Sequence, residues 1–312
     1  MTQIICGVDV SSAALDARIG RDGAETRVPA TPEGVAILAA LCREHRVTLV
    51  VMEATGGYEK LVHALLWSHG IPAAIVNPRA VRQFAQAMGF LEKTDRIDAG
   101  VIAWYAATKH IVAQEPAGEA QEHLKALVTR LRQLTELRTM QSNQRRLVGD
   151  SDVNGLFSEL MALIARQTRE LETKIAALID SDPVWRKLDE CFRSVKGVAD
   201  RTVARIMAEM PEIGTVSNKA AGKLAGLAPL AKDSGKSQGK RSTRGGRANL
   251  RNILFVVAEN VRRHNPAFAA FHERLTKAGK PKKVIRVALA HKLLTQINAK
   301  ARDARKELAM AT

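Results

Sequence analysis

The chain is poor in cysteine, in aromatic residues and in long apolar runs, and each shortage removes a class of protein. Its three cysteines, Cys6, Cys42 and Cys191, are odd in number and widely spaced. They define neither a disulfide framework nor a metal-ligand spacing, a usage that fits a reducing cytosol. The eight histidines form no HxxxH pair and do not group with the cysteines, which argues against zinc. No apolar stretch is long enough to span a bilayer, and "MTQIICGVDV" lacks the basic-then-apolar pattern of a secretory signal. No membrane association is expected. Aromatic residues are 4% of the chain, too few for platforms that stack successive bases, so any nucleic acid would be read by shape and backbone.

Positive charge is present in excess, and it is unevenly placed. The net charge is +16 over 312 residues. Residues 1–190 carry 22 Lys and Arg against 24 Asp and Glu, whereas residues 191–312 carry 26 against 8. A near-neutral region joined to a basic one points to a polyanion partner, most simply nucleic acid, rather than to a solvated face serving solubility.

The hydrophobic pattern divides the chain into three. In 1–114, "IICGVDVSSAALDARIG" and "AETRVPA" read as three strands, and "TPEGVAILAALCREH" as a helix with Thr31 at the N-cap. "VTLVVMEA" is a continuous apolar strand suited to burial on both faces. A helix closed by Gly70, a short strand at "PAAIV" and a helix at "PRAVRQFAQAMG" complete a βββαβαβα order, an α/β domain. In 115–190, leucines at three- and four-residue spacing (Leu124, Leu127, Leu131, Leu134, Leu137) pause at "GDSDVNG" and resume at Leu160. They predict two long helices forming a hairpin or coiled coil, a candidate self-association element. Residues 191–312 form a mainly helical basic domain. Its "CFRSVKGVADRTVARIMAEM" has the character of a helix-hairpin-helix, and a Gly/Ser/Lys-rich loop precedes a helix starting near Ala248.

Four acids stand out in the first segment. Asp9 lies near the end of the first strand and Glu53 ends the buried strand, where a carboxylate is costly unless paired or metal-bound. Asp95 and Asp98, in "KTDRIDA", share one face of the next helix. Each acid alone has a plain reading: a turn residue, a core ion pair, a helix cap with its first-turn acid. Together they suit phosphoryl transfer with two divalent ions about 3.5–4 Å apart, and oxygen ligands favour Mg2+ or Mn2+. In the basic segment, "KDSGKSQGKRSTRGGRANLR" sets Ser234, Ser237 and Ser242 among cations just before a helix start. From composition this is a phosphate-gripping loop. Lys240, Arg241, Arg244, Arg247 and Arg251 are its candidate nucleic-acid contacts.

"GVDVSS", "VVMEATGGY", "VNPRAVRQFAQAMG", "KTDRIDA", "LAGLAP", "SGK" and "STRGGRANLRNIL" together resemble the DEDD transposases of bacterial insertion sequences, the Piv/MooV-like family that includes bridge-RNA-guided recombinases. The resemblance implies a ribonuclease-H-like, RuvC-like N-terminal domain whose metal-binding acids are Asp9, Glu53, Asp95 and Asp98. It implies that Ser242 is the nucleophile, in Arg241-Ser242-Thr243-Arg244-Gly245, where the family more often carries isoleucine and lysine beside the serine. Ser234 is the runner-up. It further implies DNA as substrate, a structured guide RNA, a homo-oligomer and a bacterial, nucleoid-associated setting. Rival readings are a RuvC-like nuclease that hydrolyses with water, a sugar-kinase-like ATPase and a non-catalytic nucleic-acid-binding protein. The ATPase would need a second glycine-flanked acid loop late in the chain, which the basic segment does not offer.

Overall fold

The computed structural model describes residues 3–90, 95–230, 233–234, 237–239 and 241–311, the side chains at 95–98, 233–234, 237–238 and 311 excepted. The chain divides into two compact units, Met1–Ala117 and Gly118–Thr312.

The first unit is built on a mixed sheet. Strands β1 (Ile5–Val10), β2 (Ala14–Ile19) and β3 (Glu25–Pro29) form an antiparallel meander. The turn after β1 closes on Ser11, whose hydroxyl bonds both the N–H and the carbonyl of Ala14. Helix α1 (Pro32–Glu44) then starts at Thr31, which accepts from the Gly34 N–H at 3.3 Å, with Pro32 at the first helical position. Strand β4 (Leu49–Glu53), helix α2 (Tyr58–Ser68), strand β5 (Ala73–Val76), helix α3 (Pro78–Ala87) and helix α4 (Asp95–Lys109) follow. β4 and β5 lie parallel to β1, and the sheet order is β3-β2-β1-β4-β5.

Alternation along the strands gives the sheet two apolar faces. Cys6, Val8, Leu15, Val50 and Met52 pack with Val35, Leu38, Cys42 and Leu66 of α1 and α2. On the other face Ile5, Leu49, Val51 and Ala74 pack with Val81 and Ala85 of α3 and with Ile102 and Ala106 of α4. That face also carries Gly7, and its lack of a side chain lets α4 lie directly on β1. A Cβ there would fall 2.0 Å from the Ala99 carbonyl oxygen.

The second unit is helical apart from one small hairpin among the described residues. Helices α5 (Glu119–Arg145) and α6 (Ser151–Ser181) run antiparallel, joined through Asp150, whose carboxylate caps α6 on the N–H groups of Asp152 and Val153. The break in the leucine pattern is therefore shorter than "GDSDVNG" predicts. With Asp150 supplying the cap, the helix runs on through Gly155. Helices α7 (Pro183–Arg193), α8 (Asp200–Glu209) and α9 (Asn218–Leu224), strands β6 (Asp233–Ser234) and β7 (Ser237–Gln238), and helices α10 (Ala248–His264), α11 (Pro266–Lys277) and α12 (Lys282–Ala311) complete the unit. Leu124, Leu131, Ile175 and Ile179 at the base of the hairpin share one core with Phe192, Ile206, Leu254, Phe268 and Leu293. Toward the hairpin tip the apolar residues are uncovered, with Leu147 89% and Leu156 67% exposed. No described helix is long and apolar enough to cross a membrane.

Candidate active site

Asp9 and Glu53 are brought together by the parallel ladder. Val8 of β1 is paired with Met52 of β4, and each acid is the next residue along its strand. Neighbouring strands are about 4.8 Å apart, so the two carboxylates leave the sheet side by side, both half-buried. They belong to the same alternating set as Gly7 and Val51, the face covered by α4. That helix crosses the face: Ala99 and Ala103 lie against Gly7, Gly100 lies against the Arg21 carbonyl beyond β2, and past the helix end Gln114 donates to the Ala73 carbonyl at the start of β5. The first turn of α4 carries Asp95 and Asp98. The Asp95 and Asp98 side chains themselves lie outside the described residues. Among the described side chains no three His, Cys, Asp or Glu groups converge. The converging pair is all-oxygen and anionic, a donor set that fits a hard divalent cation.

Two carboxylates near this edge were missed by sequence reasoning. Asp16 stands directly across the ladder from Asp9, on the same face, and is 9% exposed with Arg27 Nη1 3.2 Å from its Oδ1. Strand pairing alone assigns it there, and no local motif signals it. Glu59 is 6% exposed and accepts the N–H groups of Thr55 at 2.9 Å and Gly57 at 2.8 Å. It closes the "ATGG" turn that follows Glu53, where Gly56 and Gly57 have φ of 68° and 117°. Thr55 Oγ1 donates to the Glu53 carbonyl at 3.1 Å. The signal for Glu59 was available: an acid two residues past a Gly-Gly turn is placed to accept that turn's free amides.

In the second unit the loop carrying Ser242 is pinned by its backbone and open at its side chain. The Leu230 N–H donates to the Ser242 carbonyl at 2.9 Å, and Ser242, Arg241 and Arg244 are exposed. No described side chain hydrogen-bonds the Ser242 hydroxyl. The loop ends at Gly245 and Gly246, both at positive φ. Gly246 lies on the "LAG" turn after α9: a Cβ there would meet the Gly226 nitrogen at 2.3 Å and the Leu224 carbonyl oxygen at 2.6 Å. The Arg247 N–H donates to that same carbonyl at 2.8 Å.

The arginines of the loop divide in two. Arg247 sends Nη1 to the Glu209 carbonyl at 2.8 Å and Nη2 to Glu212 at 2.6 Å, and Arg251 donates to the Gly245 carbonyl. Both brace the loop against α8 and α10. Arg241 and Arg244 remain at the exposed surface. The first turn of α10 has no side-chain cap, so its amides are available to an anion. Lys240 and the Ser234 side chain lie outside the described residues; the Ser234 backbone pairs with Ser237 in the small hairpin.

Residues 6–148 match a family model for the DEDD transposase of IS110, and residues 189–273 match one described as "Transposase IS116/IS110/IS902 family". Pilin gene-inverting proteins of Moraxella lacunata and Moraxella bovis are each 31% identical to the chain over 255 residues, covering 79% of it and 77% of their own length. The chain belongs to the IS110-type DEDD transposase family. An IS110 protein of 43.6 kDa from Streptomyces coelicolor is 32% identical over 157 residues, 49% of this chain and 37% of that one. Membership makes this transposase a DNA recombinase, with DNA as its substrate. The first matched region contains Asp9, Glu53, Asp95 and Asp98, and the second contains Ser242.

Proposed function

We propose that this transposase cuts and rejoins DNA through a covalent serine intermediate, with a ribonuclease-H-like, RuvC-like domain contributing four metal-binding acids. The observation that carries the reading is the side-by-side exit of Asp9 and Glu53 on the face of the sheet covered by the helix that bears Asp95 and Asp98. The sheet order, with three antiparallel strands followed by two parallel to the first, supports the fold assignment. Mg2+ or Mn2+ held by Asp9, Glu53, Asp95 and Asp98 would supply Lewis acidity at the scissile phosphate.

The protein's own residues do the rest. The Ser242 oxygen attacks phosphorus as its hydroxyl proton leaves, forming a Ser–O–P bond; a P–O bond of the DNA breaks, and the departing strand oxygen takes up one proton, so the step is proton-neutral overall. The new phosphoserine ester retains the energy of the broken diester, so a second strand can displace serine without ATP. Arg241, Arg244 and the open first turn of α10 offset charge on the phosphate, while Arg247 and Arg251 hold the loop. Lys240 joins the exposed arginines as a backbone contact. A structured guide RNA is the second polyanion in this proposal, supported by the charge excess of 191–312. We assign 1–114 to metal chemistry, 115–190 to self-association through the uncovered hairpin tip, and 191–312 to DNA and serine chemistry, in a dimer or tetramer.

The test is an adduct assay. Wild type, Ser242→Ala and Asp95→Asn are incubated with element-end and target DNA, candidate flanking RNA and Mg2+, then run on denaturing gels. The expected result is a protein–DNA adduct in wild type and none in either variant. Free cleaved DNA without adduct, unchanged in Ser242→Ala, would assign the cut to water and retire the serine.

A further inference from the structure

The row of residues crossing the sheet at Asp9 does not end at the acids. Asp9 pairs with Asp16 and Asp16 with Arg27, so Glu53, Asp9, Asp16 and Arg27 stand in line over β4, β1, β2 and β3 on one face. Arg27 is on the edge strand. Its ion pair with Asp16 uses one nitrogen and one oxygen at 3.2 Å, rather than the two-pronged geometry a guanidinium can adopt. The Arg27 side chain is 64% exposed, and its other nitrogens meet no partner among the described residues. Beside it is a cavity of about 250 Å³ lined by Asp16, Arg18, Glu25, Arg27 and Ala99, against about 30 Å³ for one liquid water. Arg18 is not free to fill this role. It is paired with Glu25, and its Nε is buried.

We propose that Arg27, oriented by Asp16, binds a backbone phosphate of the DNA strand two or three nucleotides from the scissile one. The inference rests on the reading of the Asp9–Glu53 edge as the cleavage site. Two inter-strand steps put Arg27 about 10 Å from Asp9, and a strand advances about 3.4 Å per nucleotide in duplex form. An arginine held from one side by a carboxylate presents its remaining donors in a fixed direction, which suits a phosphate. In a near-neutral unit this is a specific contact, not part of a general basic surface.

The full-length protein is titrated, in EDTA, with a series of DNA substrates each carrying one neutral methylphosphonate at successive positions around the cut. Wild type, Arg27→Gln and Arg27→Lys are compared; the lysine variant keeps a cation opposite Asp16. The expected pattern in wild type is a loss of about fivefold or more at one or two positions. In Arg27→Gln the unmodified DNA binds weaker by a similar factor, and those positions cost nothing further. Its log K against log salt becomes shallower by about 0.7–0.9. Arg27→Lys retains the slope but loses part of the position-dependent effect. Additive losses at every position, or an unchanged salt slope in Arg27→Gln, would overturn the proposal and leave Arg27 as a partner of Asp16 only. Cleavage of the same DNA in Mg2+ by wild type and Asp9→Asn separates the two ideas. Normal cutting by Asp9→Asn would remove the acid-site reading itself, whatever the titrations show.

Discussion

Glu59 shows how a single buried group can hold together the turn that follows Glu53. A carboxylate at 6% exposure is tolerated because two backbone amides in the turn after Glu53 donate to it. Glu59→Ala removes two charge-assisted hydrogen bonds from a partly exposed turn, at a cost of about 1–3 kcal/mol. It also frees the turn that sets the direction of Glu53. Urea unfolding is expected to show the lower midpoint, and adduct yield should fall further than the unfolded fraction accounts for. A variant that loses stability but keeps full yield per folded molecule would make Glu59 purely structural.

Among loops and helices, the contact of the "LAG" turn with the Gly245–Gly246 end of the serine loop is tightly specified. Gly246 combines positive φ with an approach that leaves no room for a methyl group. Arg247 and Arg251 fasten the same junction through carbonyls and Glu212. Gly246→Ala must push the turn and the loop apart, which costs about 1–3 kcal/mol from overpacking. DNA affinity at moderate salt should remain within about twofold, because the exposed Arg241 and Arg244 are retained, while the rate of adduct formation drops tenfold or more. Time courses of adduct formation at saturating DNA measure this. An unchanged rate would mean that the junction does not position Ser242.

For the whole molecule, the hairpin is the unsettled surface. Its base is buried in the helical core, yet Leu147, Val153, Leu156 and Leu163 are exposed near the tip. An apolar stripe left open along a helix is what a second copy would cover. Leu156→Glu with Leu163→Glu is expected to lower the mass measured by light scattering to that of a smaller assembly. The thermal midpoint of the dissociated chain should shift little, since neither position is in the core. A mass unchanged from wild type would remove the hairpin tip as a self-association surface.

The order of strands and helices, the buried character of β4, the Thr31 cap and the charge asymmetry were legible in the chain, because each depends on residues within a few positions of one another. The pattern also located Asp9 and Glu53 at strand ends. It could not say that the two strands are neighbours, and so could not say that the acids stand together. That depends on sheet order, since alternation determines which face a residue takes but not which strand lies beside it. Asp16 and Arg27 were invisible for the same reason: their importance comes from register with Asp9 across two ladders. Likewise the arginines of the serine loop look equivalent in the sequence, as spacing and charge treat them alike. Only the folded chain, by bringing Glu209, Glu212 and the Gly245 carbonyl within reach, separates Arg247 and Arg251 from the exposed Arg241 and Arg244. Local chemistry determined the elements and their charges; long-range packing decided which charges face each other, because contact partners far apart in the chain leave no periodic signal within it.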